Sequence, residues 1–355
     1  MELRSLETKQ PNNLETKQLI ITMARIAING FGRIGRSTFK AAWGKPGFQV
    51  VAINDLTDAK TLAHLLQYDT NYGKWEVEVK AGKDYIQIGQ QKIPVLSEKD
   101  PALLPWKELK VEIVIESTGH FVTEESASAH LTAGAKRVVI SAPAKGGNVP
   151  TYVIGANDKQ AKGNKSAVVN NASCTTNCVA PVMAIMDEAF GVKKAMLTTV
   201  HGYTSTQNLV DGPHKDLRRA RAAAENMIPT STGAAISTTE TLPSLKNKFD
   251  GLAIRVPLST VSVSDITLVL KKKVTAEDIE KVIKKATKLP RFKGIVTWTE
   301  EPLVSSDFIG NPYSAVIDLP MTRVVDGDLV KIFAWYDNEW GYANRLAEMA
   351  IFLAK

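Results

Sequence analysis

The first half of the sequence predicts an α/β fold built on a parallel sheet. Four apolar segments have the length of buried strands, and they span residues 25–29, 48–54, 111–116 and 137–141. The stretch STFKAAW, which follows soon after the first of them, spaces its apolar residues as one face of a helix. Strands that alternate with helical segments indicate units whose strands pair in parallel.

The turn between the first strand candidate and this helix contains a G-x-G-x-x-G motif, formed by Gly30, Gly32 and Gly35. Such glycines permit a tight turn, close approach of a pyrophosphate and close packing of helix on strand. The free N–H groups at the helix start also attract phosphate. Asp55 follows the second strand candidate, 20 residues after Gly35, where a carboxylate accepts hydrogen bonds from ribose hydroxyls. These features predict a Rossmann-type dinucleotide-binding domain, and the alternative is a glycine turn beside a solvated aspartate.

The cofactor predicted for this domain is NAD rather than NADP. The Asp55 carboxylate would repel a 2′-phosphate, and no arginine follows it in NDLTD. The strand candidates at 111–116 and 137–141 end in STG and SAPA, which either lie beside a ligand or form ordinary turns. Between residues 75 and 95 polar and apolar residues alternate, which predicts an antiparallel insertion.

Composition limits the classes of function. A chain of 355 residues is long enough for about two domains, and 44% hydrophobic with 23% charged residues indicates a globular protein. No uninterrupted apolar run reaches about 18 residues, so no membrane span is expected. Two cysteines are too few for a disulfide scaffold and indicate a reducing compartment, by default the cytoplasm. The net charge is +7, but no aromatic residue interrupts the densest basic cluster, HKDLRRARAA, so we expect anionic metabolites or a subunit contact rather than nucleic acid.

Residues 1–23 differ from the rest of the chain and are interpreted as an N-terminal extension. They contain the pentapeptide LETKQ twice, carry mixed charge and lack the apolar centre of a secretory signal. We expect this extension to be disordered.

Both cysteines lie in the segment NASCTTNC. A disulfide between Cys174 and Cys178 would close too small a loop, and no set of about four zinc ligands is evident, so no metal site is expected. The thiols are then either a nucleophile or two buried packing residues. The apolar run that follows predicts a helix with Ser173 as N-cap, in which Pro181 is tolerable only near the start. Cys174 then falls in the first turn, where the helix dipole stabilises a thiolate, whereas Cys178 packs in the helix body.

A nucleophilic thiolate needs a base, and the chain has five histidines. His201 is the strongest candidate because it ends the strand candidate AMLTTV and begins the polar turn HGYTSTQ. His120, beside the STG turn, is a weaker competitor. For His64 and His130, which lie in helix-like stretches, we expect core or surface roles.

Three further segments are rich in groups that hold phosphate. Thr204 and Thr206 follow His201, the stretch TSTGAA spans residues 230–235, and AIRVP supplies Arg255. Hydroxyls, backbone N–H groups and arginine are common means of holding a phosphate. Beside a thiolate and a dinucleotide site, they predict two anion positions.

Taken together, NGFGRIGR, ASCTTNC, HKDLRRARAAAENMIPTSTGAA and WYDNEWGYANR resemble the phosphorylating glyceraldehyde-3-phosphate dehydrogenase family, from about residue 24 to the C-terminus. The resemblance implies a Rossmann domain over 24–173, completed by a C-terminal helix within 338–355, and an α+β catalytic domain with a mostly antiparallel sheet over 174–337. It implies oxidation of glyceraldehyde 3-phosphate with NAD and inorganic phosphate to 1,3-bisphosphoglycerate, through a cysteine hemithioacetal and thioester. It also implies a homotetramer.

The resemblance further implies roles for individual residues. Cys174 would be the nucleophile, and His201 would activate it. Inorganic phosphate would contact Ser173, Thr175, Thr232 and Gly233, and the substrate phosphate would contact Thr204 and Arg255. The cofactor would contact Gly30, Gly32, Arg33, Ile34, Gly35, Asp55, Lys99, Ser141 and Asn338, with Tyr342 as a nearby aromatic residue.

Three positions depart from the family pattern. Lys99 stands where the family usually has an arginine near the adenine, RVPLST places Leu258 in a segment that commonly reads RVPT-x-N, and the segment around Ile236 lacks a frequent lysine. These departures concern packing, subunit contacts and substrate-phosphate affinity rather than the reaction.

Two rival functions remain at this point. Erythrose-4-phosphate dehydrogenase shares the cysteine and cofactor motifs, although the intact TSTGAA loop favours glyceraldehyde 3-phosphate. A nucleotide-dependent binding protein could instead contact RNA through LRRARAA, but such a protein would not need both Cys174 and His201.

Overall fold

The computed structural model describes residues 23–354, which form two large sheets and a separate two-stranded ribbon. Residues 1–22, nearly all of the predicted extension, lie outside the described residues, so its expected disorder stays a prediction. Among the described residues, no helix is both long and apolar enough to cross a bilayer.

The first sheet has eight strands, flanked by helices. In chain order the elements of this part are β1 (Ala24–Asn29), α1 (Arg33–Ala42), β2 (Phe48–Asn54), α2 (Ala59–Gln67), β3 (Tyr68–Asp69), β4 (Gly73–Lys74), β5 (Val79–Ala81), β6 (Tyr85–Ile88), β7 (Gln91–Leu96), β8 (Ile113–Glu116), α3 (Glu124–Thr132), β9 (Arg137–Ile140) and β10 (Val168–Asn170). The strand order is β10-β9-β8-β1-β2-β7-β6-β5, while β3 and β4 form the ribbon. All neighbours from β10 to β7 are parallel, which confirms the predicted α/β, Rossmann-type arrangement.

The predicted antiparallel insertion is formed by β5, β6 and β7. Strand β6 pairs antiparallel with both of the others, while β7 also pairs in parallel with β2. The insertion therefore extends the main sheet. The strand expected over 111–116 begins only at Ile113, because Lys110 has a φ of 50° and the Val111 N–H donates to the Trp106 carbonyl in a turn.

Apolar side chains cover both faces of the first sheet. Ile28 packs on one face with α1, and Val114 packs on the other near α3. Strands buried on both faces read as nearly continuous apolar runs, as these do. Because the strands are parallel, the carboxyl ends of β1, β2 and β8 meet at one edge, which carries Gly30, Asp55 and Ser117.

The second sheet has seven strands. In chain order the elements of this part are α4 (Cys174–Phe190), β11 (Val192–Gly202), β12 (Ile228–Ser231), α5 (Ala234–Thr241), β13 (Phe249–Val256), β14 (Ser262–Leu270), α6 (Ala276–Ala286), β15 (Val296–Thr299), β16 (Ala315–Val325), β17 (Leu329–Tyr336) and α7 (Trp340–Leu353). The strand order is β12-β13-β11-β14-β17-β16-β15. The pairs β11–β13 and β15–β16 are parallel and the others antiparallel, which confirms the mostly antiparallel sheet that the resemblance implied.

Helix α4 connects the two sheets and begins as the sequence predicted. The Ser173 hydroxyl accepts a hydrogen bond from the Thr176 N–H at 3.0 Å, and Cys174 is the first helical residue. The expectation that Pro181 lies near the helix start is wrong, since the proline stands inside the helix and is itself buried. Packing on nearly all sides of α4 outweighs the backbone hydrogen bond that a proline removes.

Helix α7 returns to the first sheet, where Leu346 and Met349 belong to the same apolar cluster as Ile28. At its other side, the Arg345 guanidinium donates to the Gly294 carbonyl at 3.0 Å, so the helix also touches the second part of the chain. The domain boundaries at 173/174 and 337/338 stay predictions.

Candidate active site

The glycine turn between β1 and α1 has the geometry that a bound pyrophosphate requires. Gly30 has a φ of 87°, and a Cβ there would lie 2.6 Å from the Thr118 backbone nitrogen. A Cβ on Gly35 would lie 2.3 Å from the Gly30 carbonyl oxygen, whereas one on Gly32 would meet nothing within 4 Å. Two glycines therefore allow close backbone packing, and the third leaves open space above the helix N-terminus for a ligand.

Asp55 is fixed at the edge of this open space. One carboxylate oxygen accepts from the Phe31 N–H at 2.7 Å, and the other accepts from the Thr57 N–H at 2.9 Å. The remaining lone pairs face a pocket that is also lined by Gly30, Gly32 and Lys99. The residues fit an adenosine ribose, with the exposed Lys99 at the outer rim.

A second pocket lies on the other side of the glycine turn and contains the thiol. The structure brings together here Ser173, Cys174, His201, Thr204 and Arg255 with Arg33, Ile34, Ser141, Asn338 and Tyr342. The predicted cofactor residues are thus divided between two neighbouring pockets, as an extended dinucleotide would require. Gly35 lines neither of them and acts through the packing of helix on strand.

The Arg33 side chain is held by two carboxylates. It forms an ion pair with Asp69 at 2.6 Å and a second one with Glu339 at the start of α7. These hydrogen bonds and charges raise the pKa of the guanidinium, with the Glu339 hydrogen bond as the largest cause. The side chain therefore ties α1 to α7, and the open backbone beside it is what remains for a phosphate.

Cys174 and His201 are adjacent in space. The Cys174 Sγ lies 3.5 Å from the His201 Nε2. His201 does not follow its strand, as the sequence suggested, because β11 continues to Gly202. Pairing of β11 with β13 sets His201 directly opposite Arg255.

The hydrogen bonds of the imidazole orient it towards the thiol. The His201 Nδ1 lies 2.6 Å from the Gly202 carbonyl oxygen, and Nη1 of Arg255 lies 2.6 Å from Nδ1 and 3.0 Å from the same oxygen. We assign the proton to Nδ1, which donates to the carbonyl and leaves Nε2 free to accept a proton from sulfur.

The charges around the pair favour two neutral partners. Burial lowers the pKa of His201 to about 3, and the nearby Arg255 charge acts in the same direction. Cys174 is partly exposed at the pocket, but its sulfur is surrounded by protein, and this burial raises the pKa of the thiol. Arg255 opposes that rise. The pair is therefore a thiol beside an unprotonated imidazole, which suits proton transfer during attack.

The predicted phosphate residues are only partly gathered around the thiol. Ser173 and Thr204 line its pocket, but the buried Thr175 turns its hydroxyl towards Tyr336, at 2.9 Å. Thr232 and Gly233 lie at the start of α5 and do not line this pocket. Of these two, Gly233 occupies the N-cap position, where free N–H groups favour an anion.

Two residues near the thiol were not singled out from the sequence. Arg219 donates to the Thr230 hydroxyl at 2.9 Å and to the Ser231 carbonyl at 3.1 Å, and its charge lowers the pKa of His201 and of Arg255. The basic cluster HKDLRRARAA was the available signal, but it did not indicate which arginine faces inward.

Tyr336 is the second of these residues. Its hydroxyl bridges Thr175 at 2.9 Å and Thr199 at 2.8 Å, and its ring lies edge-on to His201. It joins the start of α4 to β11, and no local pattern in the sequence indicates this bridge.

The remaining histidines and Cys178 lie away from the reacting pair. His120 lines the Asp55 pocket rather than the thiol pocket, His64 packs beside Tyr68, and His130 is fully buried. Cys178 is unpaired and fully buried, and its thiol donates weakly to the Ala334 carbonyl at 3.7 Å. The structure thus gives the two cysteines different surroundings.

A dinucleotide pocket beside a thiol and an imidazole defines a nucleotide-dependent oxidoreductase with a cysteine nucleophile. Residues 24–124 match the family model for the NAD-binding domain of glyceraldehyde 3-phosphate dehydrogenase, and residues 173–338 match the model for its C-terminal domain. The chain belongs to the glyceraldehyde-3-phosphate dehydrogenase family and uses NAD.

Similar curated proteins support this assignment over nearly the whole chain. Glyceraldehyde-3-phosphate dehydrogenase 1 of Bacillus cereus is 51% identical over 331 residues, covering 93% of this chain and 98% of that protein. The glyceraldehyde-3-phosphate dehydrogenases of Geobacillus stearothermophilus and Streptomyces coelicolor are 49% and 50% identical, each over 330 residues with the same coverage.

Proposed function

We propose that this chain oxidises glyceraldehyde 3-phosphate with NAD and inorganic phosphate, giving 1,3-bisphosphoglycerate. The observation that carries the proposal is the 3.5 Å contact between Cys174 Sγ and His201 Nε2, at the N-terminus of α4 and beside the glycine turn. The names of the similar proteins identify the substrate.

In the first step, the Cys174 sulfur attacks the aldehyde carbon while its proton moves to the His201 Nε2. The free helix N-terminus and the Arg255 charge favour the developing thiolate over the buried thiol. The product is a hemithioacetal on Cys174. The neutral imidazole at the start of the reaction is what allows His201 to act as a base.

In the second step, His201 accepts the hydroxyl proton of the hemithioacetal while a hydride leaves the same carbon. NAD, when bound, supplies the hydride acceptor. The bond between sulfur and carbon is retained, so Cys174 now carries a thioester. Inorganic phosphate then attacks the thioester carbonyl, which releases the acyl phosphate and regenerates the thiolate.

Two anion positions serve these steps. We assign the substrate phosphate to Thr204 and Arg255, which line the thiol pocket. We assign inorganic phosphate to Ser173, the Thr175 backbone, Thr232 and Gly233, with Arg219 as an added positive charge beside that loop. Because the Thr175 hydroxyl already bonds Tyr336, its N–H group is the part left to contact the anion.

An assay of the purified chain with two sugar phosphates tests the proposal. We expect NADH formation from glyceraldehyde 3-phosphate and NAD that depends on added phosphate, and slower reactions with erythrose 4-phosphate or with NADP. The similar proteins above do not favour erythrose 4-phosphate. Faster oxidation of erythrose 4-phosphate, or a steady rate independent of phosphate, would contradict the proposal.

We also assign this chain to a homotetramer in the cytoplasm. Exposed apolar side chains on the second part of the chain support a subunit contact, among them Met196, Ile236 and Leu252. Ile236 and Leu258, two of the departures from the family pattern, are exposed as well. The two free thiols are consistent with a reducing compartment.

A further inference from the structure

A buried carboxylate that the proposed reaction does not use lies directly below the adenosine pocket. Glu116 is the last residue of β8, and its side chain is fully buried. One carboxylate oxygen accepts from the Thr118 N–H at 2.8 Å and from the Thr118 hydroxyl at 2.5 Å. The other accepts from the Asn29 amide at 2.6 Å and contacts the His130 Nε2 at 3.0 Å.

The protonation of His130 follows from its other neighbour. The Trp106 indole N–H, which can only donate, lies 3.0 Å from the His130 Nδ1. Nδ1 must therefore be an unprotonated acceptor, and the single ring proton lies on Nε2 and points at Glu116. The carboxylate is thus surrounded by four donor groups, two at each oxygen, and every one of them requires an acceptor.

These donors belong to the walls of the adenosine pocket. Asn29 and Thr118 line the pocket themselves. The Asn29 side-chain oxygen accepts from the Asn54 amide at 2.7 Å, and Asn54 in turn bonds both the carbonyl and the N–H of Glu98 at 2.9 Å. The strand ends of β1 and β2 and the loop after β7 are therefore connected to one carboxylate.

The same carboxylate sets the turn that faces the glycine motif. By holding the Thr118 N–H, Glu116 fixes the backbone that approaches Gly30 so closely that no Cβ would fit there. The Ser117 hydroxyl donates to the Gly30 carbonyl at 2.7 Å, which completes the contact between the two turns.

We propose that Glu116 is a positioning residue for the adenosine half of the cofactor, holding the Thr118 turn and the Asn29 amide in the arrangement that binds it. The inference rests on the cofactor placement proposed above. Glu116 contacts no reacting atom, so its influence reaches the reaction through cofactor affinity and not through the chemical step.

The isosteric variant Glu116→Gln tests this proposal. Its amide can supply an oxygen to only one pair of donors and must place an NH₂ against the other pair, so either the Thr118 turn or Asn29 is displaced. We expect the Kd for NAD, measured by calorimetry on the intact protein, to rise by about tenfold or more. ADP-ribose, which lacks the nicotinamide, should lose affinity by the same factor, while kcat at saturating NAD stays essentially unchanged.

Val114→Ala is the matched control. Val114 lies two residues earlier on the same face of β8 and is fully buried in the neighbouring apolar cluster. Its truncation should lower the melting temperature without changing the affinity for NAD or ADP-ribose. If Glu116→Gln is destabilised like this control but binds both ligands as the unchanged protein does, the proposal is wrong.

A second variant covers the case in which Glu116→Gln does not fold. Trp106→Phe removes the donor that fixes the His130 tautomer, so the ring can turn its unprotonated nitrogen towards Glu116, and a smaller loss of NAD affinity is expected. Unchanged affinity in this folded variant would also overturn the proposal. Failure of the unmodified protein to bind NAD and ADP-ribose would instead overturn the cofactor placement itself.

Discussion

The two ends of the proposed site are built in different ways. At the dinucleotide end, the groups that face the pocket directly follow parallel strands, with Gly30 after β1, Asp55 after β2 and Ser117 after β8. At the thiol end, Cys174 begins α4 and His201 lies near the end of β11. Sheet topology fixes the first end, whereas side-chain contacts between distant elements fix the second.

This difference separates two kinds of experimental effect. Substitutions at the thiol end should change kcat and the reactivity of Cys174 while leaving cofactor affinity intact. Substitutions at the dinucleotide end should change cofactor affinity while leaving the reactivity of Cys174 intact. A variant that changes both quantities strongly would show that the two ends are coupled.

Loss of the nucleophile should have the largest effect. In Cys174→Ser, we expect kcat to fall by more than about 10⁴-fold, because a serine hydroxyl beside a neutral imidazole is a far poorer nucleophile than a thiol. The Kd for NAD, measured by calorimetry, should be nearly unchanged, since the adenosine pocket is not touched.

The other cysteine supplies the control for this experiment. Cys178→Ala should retain most of the activity and lose roughly 1–2 kcal/mol of unfolding free energy, because it removes only buried packing atoms. If Cys178→Ala were as inactive as Cys174→Ser while remaining folded, the division of roles between the two thiols would be wrong.

Removal of the base should have the next largest effect. His201→Gln retains a polar side chain but cannot accept the proton from sulfur or from the hemithioacetal, and kcat should fall by about 10²- to 10⁴-fold. Alkylation of Cys174 by iodoacetamide near neutral pH should slow as well. A variant with normal alkylation and normal kcat would exclude His201 as the base.

A substitution at the dinucleotide end should give a smaller effect of the opposite kind. In Asp55→Asn, loss of charge-assisted hydrogen bonds to the ribose should raise the Kd for NAD by about tenfold to a hundredfold. Affinity for NADP should fall less or improve, because the repulsion of the 2′-phosphate is removed. Iodoacetamide should still alkylate Cys174 at the original rate, and a large change in that rate would contradict the separation of the two ends.

The same contrast explains how much the sequence could predict. The glycine turn, the position of Asp55 and the Ser173 cap follow from patterns a few residues long, and the structure has each of them in the expected local geometry. The family resemblance added the antiparallel second sheet, which no local pattern had indicated.

Contacts between distant elements could not be predicted from local patterns. Arg219 reaches Thr230 across a loop, and Tyr336 reaches Thr175 from a strand more than a hundred residues away in the chain. The hydroxyl of Thr175 was expected to face phosphate because it follows the nucleophile, yet its helical position turns it inward. Packing also overrides the usual position of Pro181 in a helix.

The smallest predicted effect concerns stability in acid and is confined to the thiol end. The buried His201 has a pKa of about 3 in the folded protein, against an ordinary value of 6.5. As the pH falls through 6.5, the unfolded chain binds a proton that the folded protein does not, so this histidine destabilises the fold progressively down to about pH 3. Between about pH 7 and pH 5 the loss attributable to it is up to about 2 kcal/mol.

Thermal unfolding of two variants over this pH range measures that contribution. His201→Gln should lose less melting temperature between about pH 7 and pH 5 than the unchanged protein, because glutamine does not titrate. Cys178→Ala, which leaves the imidazole and its surroundings in place, should follow the unchanged protein in its pH dependence. Equal acid sensitivity of His201→Gln and the unchanged protein would mean that the imidazole takes up its proton without unfolding. The proposed neutral base would then have to be replaced by an imidazolium that accompanies a thiolate.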